Sequence, residues 1–218
     1  MSGVIKHRFV LISRWHLDCA ITAAWQCIAE VRRWPEWWPN VAAVRVDNQG
    51  APHTQTRPFT PRVGDAAWIE WRTRLGYGFR LRVATTRVLA PFELEGTAEG
   101  DLIGQGLWAL EPVGLQGSDG VQITYRWDLH LNRPWMHIAA PLLRPVFAWN
   151  HFAVMRTGAH AMAQRIGCRL LRYRDYRFSP GASDPAHASN DTNEMRALAW
   201  HEPLELQPSL EPRGARRA

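Results

Sequence analysis

Apolar and polar residues alternate with the period of a β-strand along much of the chain. The clearest row is Val121, Ile123, Tyr125, Trp127 and Leu129, which alternates with polar residues. A period of two places such residues on one face of a strand. Strands are predicted over 7–17, 40–48, 65–74, 78–89, 92–100, 101–112 and 121–131. One apolar and one polar face is typical of an antiparallel sheet with one covered side.

Helical periodicity occurs at two places. The spacing of Ile21, Ala24, Trp25 and Ile28 predicts an amphipathic helix over 19–32. The segment WPEWWP at 34–39 contains two prolines, which predict a short aromatic turn or a second short helix there.

After Pro134 the pattern returns to the helical period and predicts one long helix from about Val146 to Leu171. Its apolar face carries Phe147, His151, Val154, Met155, Gly158 and Met162.

Segregation of strands from helices predicts an α+β fold, in which the long helix covers the apolar sheet face. We expect a helix-grip architecture: a curved antiparallel sheet of about seven strands around a long C-terminal helix, with one or two short helices after the first strand. A single helix does not fill a wide concave sheet, so a ligand cavity is expected between them. The predicted domain covers 1–178, and the polar segment 179–218 is predicted to be a disordered tail.

Composition narrows the classes of function. Twelve tryptophans among 218 residues favour a large core or an aromatic-lined cavity. The net charge of +6 comes from basic residues strewn among acidic ones, which argues against a nucleic-acid partner. The sequence contains no run of about 18 uncharged apolar residues, so it predicts no membrane span.

The thiols and histidines suggest no metal or cofactor. Cys19, Cys27 and Cys168 lie far apart in the sequence without a CxxC motif, which predicts reduced thiols in a cytoplasmic protein. The histidines form no metal-binding motif, and GDLIGQG at 100–106 lacks the spacing of a phosphate loop. We therefore predict neither metal nor cofactor, and the oligomeric state stays open.

Several motifs together resemble the START-like (SRPBCC) superfamily, within its polyketide cyclase/dehydrase group. They are Trp15-His-Leu17, WPEWWP at 34–39, Gly64-Asp65, Tyr77-Gly-Phe-Arg, GDLIGQGLWAL at 100–110, TYRWD at 124–128, PWM at 134–136 and APLLRPVFAWNHFAVMRTG at 140–158. The resemblance implies a helix-grip fold with an internal cavity for hydrophobic ligands. The superfamily includes cyclases, aromatases and lipid carriers, and no set of its catalytic residues can be carried over here.

Strand alternation and the helix stripe together identify candidate cavity residues. The predicted ligand-binding residues are Trp38, Trp71, Phe79, Leu81, Trp108, Tyr125, Trp127, Phe147, His151 and Met155. The three tryptophans of 34–39 are interpreted either as a lid or clamp on a flat ligand, or as a plug that closes the core.

Two of these residues are candidates for acid–base chemistry. His151 could take an α-proton from a keto substrate, or it could be a core histidine that hydrogen-bonds to the sheet. Tyr125 could stabilise an enolate, or it could be a rim tyrosine that hydrogen-bonds across the sheet. Asn150 is interpreted as orienting the helix against a loop.

Three hypotheses follow for function. The favoured one is non-catalytic binding of a small hydrophobic or aromatic molecule, lipid-like or polyketide-like. The second is a cyclase/dehydratase-type enzyme that uses His151 or Tyr125. The third is a weak membrane-surface contact, through an arginine patch at the end of the long helix. That patch would consist of Arg169, Arg172, Arg174 and Arg177.

Overall fold

The computed structural model describes residues 8–47, 59–73, 76, 78–114, 120–130 and 134–178. Its strands are β1 (Arg8–Leu17), β2 (Val41–Asp47), β3 (Ala66–Arg72), β4 (Gly78–Leu89), β5 (Glu93–Gly100), β6 (Ile103–Pro112), β7 (Val121–His130) and β8 (Leu170–Phe178). Its α-helices are α1 (Ile21–Ala29), α2 (Trp34–Trp37) and α3 (Pro134–Ile166), and a 3-10 turn spans Val31–Arg33.

All eight strands form one antiparallel sheet, in the order β2-β3-β4-β5-β6-β7-β1-β8. The long helix α3 packs on its inner face, where the Tyr173 hydroxyl donates a 3.1 Å hydrogen bond to the carbonyl of Phe152. Two short α-helices, with a 3-10 turn between them, follow the first strand. The predicted α+β helix-grip fold is therefore confirmed.

The sheet contains a strand that the periodicity did not predict. Residues 170–178 form β8, which pairs with β1 and places Tyr173 opposite Trp15. Gly167 ends α3 with a φ of 80°, and its N–H donates to the carbonyl of Ala163 at 3.0 Å. A glycine in this left-handed conformation is a common helix stop. The predicted continuation of the helix to Leu171 is therefore wrong.

The predicted arginine patch at the helix end does not form. Arg172 and Arg174 lie on the opposite face of β8 from Arg177, because successive strand residues alternate. Arg169 precedes the strand and forms a 2.7 Å ion pair with Asp18. Since the four guanidinium groups do not share a surface, the membrane-surface hypothesis loses the feature that motivated it.

Both predicted helices have different bounds in the structure. The long helix begins at Pro134, well before Val146, and α1 covers only Ile21–Ala29 of the predicted 19–32. The predicted tail 179–218 lies outside the described residues, so the domain boundary stays a prediction. No helix in the described ranges is both long and apolar enough to cross a membrane.

The three cysteines, distant in the sequence, converge at one end of α3. All three are free and partly buried, and the Cys19 thiol is hydrogen-bonded to that of Cys168. Burial and the neighbouring thiols raise the pKa of Cys19 to about 12, and burial also raises the pKa of Cys27. The thiols of Cys19 and Cys27 are therefore protonated near neutral pH, and all three cysteines pack against the core.

Candidate functional site

A cavity of about 110 Å³, partly open to solvent, lies between the inner sheet face and α3. Eight of its 22 lining residues are Trp, Phe or Tyr. The ring centroids of Trp108 and Tyr125 are 4.3 Å apart, and those of Trp38 and Trp71 are 5.2 Å apart in an edge-to-face arrangement. A concave, largely aromatic site with a few polar groups is the usual form of a small-molecule site.

The structure places all ten predicted ligand-binding residues in the wall of this one cavity. They are Trp38, Trp71, Phe79, Leu81, Trp108, Tyr125, Trp127, Phe147, His151 and Met155. Nine of the ten positions follow from strand alternation or from the helical stripe on α3, and Trp38 lies directly after α2. That they contact a ligand stays a prediction.

The floor of the cavity is deep because small residues face inward there. Gly96 of β5 lies directly opposite Gly106 of β6, and both line the cavity. A Cβ atom added to Gly106 would stand 2.9 Å from the hydroxyl oxygen of Tyr125. Because glycine has no side chain, the Tyr125 ring has room to lie over β6 with its hydroxyl at the cavity floor.

Three polar atoms in the wall are buried without a hydrogen-bond partner in the protein. They are Nε1 of Trp71, Oδ1 of Asn150 and Nε2 of His151. An unpaired buried polar group costs about 1–3 kcal/mol. A bound molecule that offers both a donor and an acceptor would remove this cost.

Asn150 was not among the predicted cavity residues. Its side chain is 3% exposed and lines the cavity, so its interpretation as a residue that orients the helix against a loop is wrong. Its position one residue before His151 places it about 100° further round the helix. The sheet curves far enough around α3 for both side chains to reach the same cavity.

The two candidate acid–base groups are both uncharged at neutral pH. Burial lowers the pKa of His151 to about 3, so its imidazole is neutral. Burial also raises the pKa of Tyr125, so its phenol keeps its proton. The two rings lie 6.1 Å apart, and the Trp127 ring lies 5.2 Å from His151.

The described part of the cavity wall offers no positive charge to an anionic ligand. Among the described residues that line it, none is Lys or Arg. Glu95 also lines the cavity, but strand alternation directs its carboxylate away from the inward face of Leu94 and Gly96. Within the part of the chain that the structure describes, no group of three or more His, Cys, Asp or Glu side chains is placed to hold a metal ion.

The tryptophans of WPEWWP form a buried wall of the cavity. Trp34, Trp37 and Trp38 are all buried, and Trp34 and Trp38 line the cavity. The indole N–H of Trp38 donates to the carbonyl of Val154 on α3 at 3.2 Å, and that of Trp34 donates to the carbonyl of Cys27 at 3.0 Å. These bonds fix the two rings between the core and the cavity, an arrangement that fits the interpretation of a plug better than that of a lid.

Comparison with solved structures identifies the same architecture elsewhere. The aromatase/cyclase Zhui from Streptomyces sp. R1128 aligns with a TM-score of 0.58 at 9% identity, over 74% of this chain and 94% of that one. The di-domain aromatase/cyclase StfQ of the steffimycin biosynthetic pathway aligns with a TM-score of 0.54 at 17% identity, over 74% of this chain. This chain spans only 52% of StfQ.

A START superfamily protein from Mycobacterium smegmatis aligns with a TM-score of 0.53 at 12% identity, over 72% of this chain and 97% of that one. No family model and no curated protein sequence matches the chain. At these identities the similarity shows the fold alone.

Proposed function

Because this protein has the START-like fold of the polyketide-cyclase type, we propose that it binds a small, uncharged, hydrophobic or aromatic molecule in the cavity between the sheet and α3. The observation that carries this proposal is the aromatic wall with three buried, unpaired polar atoms, on Trp71, Asn150 and His151. The wall favours an apolar body, and the three atoms favour a ligand with at least one hydroxyl and one carbonyl group.

The charges of the lining support a neutral ligand over a fatty acid or another anion. Transfer of a carboxylate into a poorly solvated site without a cation costs several kcal/mol. His151 cannot supply that cation at neutral pH, since its pKa is about 3. Lipid-like and polyketide-like molecules therefore remain candidates only where the buried part is uncharged.

We predict that the purified protein binds 2-naphthol and that Asn150→Leu weakens this binding by about 3- to 10-fold, the contribution of one neutral hydrogen bond. Naphthalene, which has no hydroxyl group to donate, should bind the variant at least as well as it binds the wild type. Isothermal titration calorimetry with both ligands measures the two ratios.

The matched control for this experiment is Trp149→Leu, one residue earlier on the same helix, where the side chain is 52% exposed. It should leave both affinities unchanged. If neither naphthalene nor 2-naphthol binds the wild type, the proposed function is wrong. If Asn150→Leu weakens both ligands equally, Asn150 only shapes the cavity.

A second candidate function is a cyclase/dehydratase, supported by Tyr125 and His151 lining the same cavity. Tyr125 could donate a hydrogen bond to a developing enolate oxygen while His151 takes the α-proton. A general base works best when its pKa is near the working pH. A pKa of about 3 makes His151 a weak base, which is why binding is the favoured function.

The two functions differ in the effect of His151→Phe, which keeps ring volume and removes the base. For a binding protein, we expect 2-naphthol affinity to change by no more than a few-fold. We also expect no acceleration of the aldol cyclisation of 2,6-heptanedione to 3-methylcyclohex-2-enone and water, followed by ultraviolet absorbance. An acceleration by the wild type that falls about 100-fold in the variant would establish the cyclase function instead.

A further inference from the structure

A second cavity of about 80 Å³ lies beside the first, between the 3-10 turn, the β2–β4 side of the sheet and residues 59–65. The two cavities share part of their walls. Val31, Val83, Thr85 and Leu94 line both. Three of these four shared residues are aliphatic.

The boundary between the two cavities crosses three residues that are paired across neighbouring strands. Ala67 of β3 pairs with Val83 of β4, and Val83 pairs with Ala98 of β5. Of these, Ala67 lines only the second cavity, Ala98 lines only the first, and Val83 lines both. Val83 is therefore one of the residues between the two cavities, and its two cross-strand neighbours each carry only a methyl group.

We propose that the second cavity is a subsite for an unbranched, uncharged alkyl chain of the ligand whose ring portion occupies the first. This inference rests on the proposed function and specifies the ligand further. The ligand class is an alkyl-substituted aromatic molecule, with the chain passing beside Val83 and Leu94.

The chemistry of the second wall favours a chain without polar groups. Among the described residues that line only the second cavity, none has a buried side-chain polar atom without a hydrogen-bond partner. Small apolar residues such as Ala29 and Ala67 are among those that line it. An occupant therefore has no hydrogen bond to make there and contributes through apolar burial.

The charged groups of the second cavity are already partnered. The Arg32 guanidinium lies 4.9 Å from the centroid of the Phe59 ring and 3.6 Å from the carboxylate of Glu30. The Asp65 carboxylate accepts a 2.7 Å hydrogen bond from the backbone N–H of Arg62. Because both side chains already have partners within the protein, we expect an uncharged chain end to be preferred.

The test is a series of 2-naphthol and its 6-alkyl derivatives, titrated against the wild-type protein by fluorescence. We expect affinity to rise roughly 3- to 4-fold per added methylene while the chain fills the second cavity, and then to level off. A 6-(ω-carboxyalkyl) derivative of the same length should bind at least 10-fold more weakly than the alkyl compound. An affinity independent of chain length would overturn the proposal.

Two matched substitutions assign the effect to the correct cavity. Ala67→Leu should abolish the gain from chain length and leave 2-naphthol affinity within 2-fold of wild type. Ala98→Leu should weaken 2-naphthol itself and every derivative by a common factor. Both alanines are buried strand residues of β3 and β5, so the two variants impose comparable demands on folding.

The outcomes separate this inference from the proposed function. If 2-naphthol does not bind the wild type, the proposed function fails. If 2-naphthol binds but Ala67→Leu affects short and long ligands equally, only the subsite is refuted. The wild-type series decides the matter even if a variant fails to fold, which circular dichroism would report.

Discussion

Gly158→Ala is expected to destabilise this protein, although the same change in the middle of an exposed helix stabilises by about 1 kcal/mol. A Cβ atom at position 158 would stand 2.7 Å from Nε1 of Trp38. Trp38 is 1% exposed and donates a hydrogen bond to Val154, so its ring has no free direction in which to move. Overpacking of this kind costs about 1–3 kcal/mol.

We expect a net loss of roughly 1 kcal/mol in the free energy of unfolding, or about 2–4 °C in Tm for a chain of this size. Urea and thermal unfolding followed by circular dichroism measure both quantities. Gln164→Ala, at an exposed position of the same helix, is the control and should stay within about 0.5 kcal/mol of wild type.

A double-mutant cycle tests the cause. In a Trp38→Phe background the smaller ring should accommodate the added methyl group, so Gly158→Ala should cost clearly less there than in the wild type. Equal costs in the two backgrounds would mean that Trp38 is not the obstacle. A Gly158→Ala protein more stable than wild type would contradict the close packing of α2 against α3.

Acid is expected to destabilise the folded protein through His151. Its pKa is about 3 in the folded state, against 6.5 for an ordinary histidine. Between these values the unfolded chain binds a proton that the folded protein does not. The free energy of unfolding therefore falls as the pH falls from about 6.5 toward 3, by up to about 1.4 kcal/mol per pH unit.

His151→Phe removes this dependence while keeping a ring of similar size among Tyr125, Trp127 and Phe152. Carboxylates titrate in the same pH range, so the informative quantity is the difference in unfolding free energy between wild type and variant. We expect the unfolding free energy of the wild type to fall steadily relative to that of the variant from pH 6.5 to pH 4, and the difference to be constant above pH 7. Parallel curves for the two proteins would show that His151 protonates freely in the folded state.

The inward face of the sheet was predictable because a strand's period of two leaves little choice. Once Val121 and Ile123 are assigned to the core, Tyr125 and Trp127 must share their face. The stripe on α3 follows in the same way from the helical period. Both rows line the cavity because each element must bury its apolar side against the other.

Two features of local sequence were available but were outweighed by other patterns. Gly167 is a stop signal for α3, but the predicted helix was carried past it to Leu171, which left β8 unpredicted. Asn150 lies in the helix, and helical periodicity alone places it next to the apolar stripe rather than within it. Only a sheet curved around α3 makes both Asn150 and His151 face the cavity.

The sequence by itself determined the class of fold, the helix stripe and the identity of the aromatic wall, since these depend on periodicity and composition. Tertiary structure alone decided which polar atoms stay unpaired, where Gly158 meets Trp38, and how Ala67, Val83 and Ala98 align across three strands. The physical reason is that register, burial and pKa arise from contacts between residues distant in the chain, and local patterns do not specify those contacts.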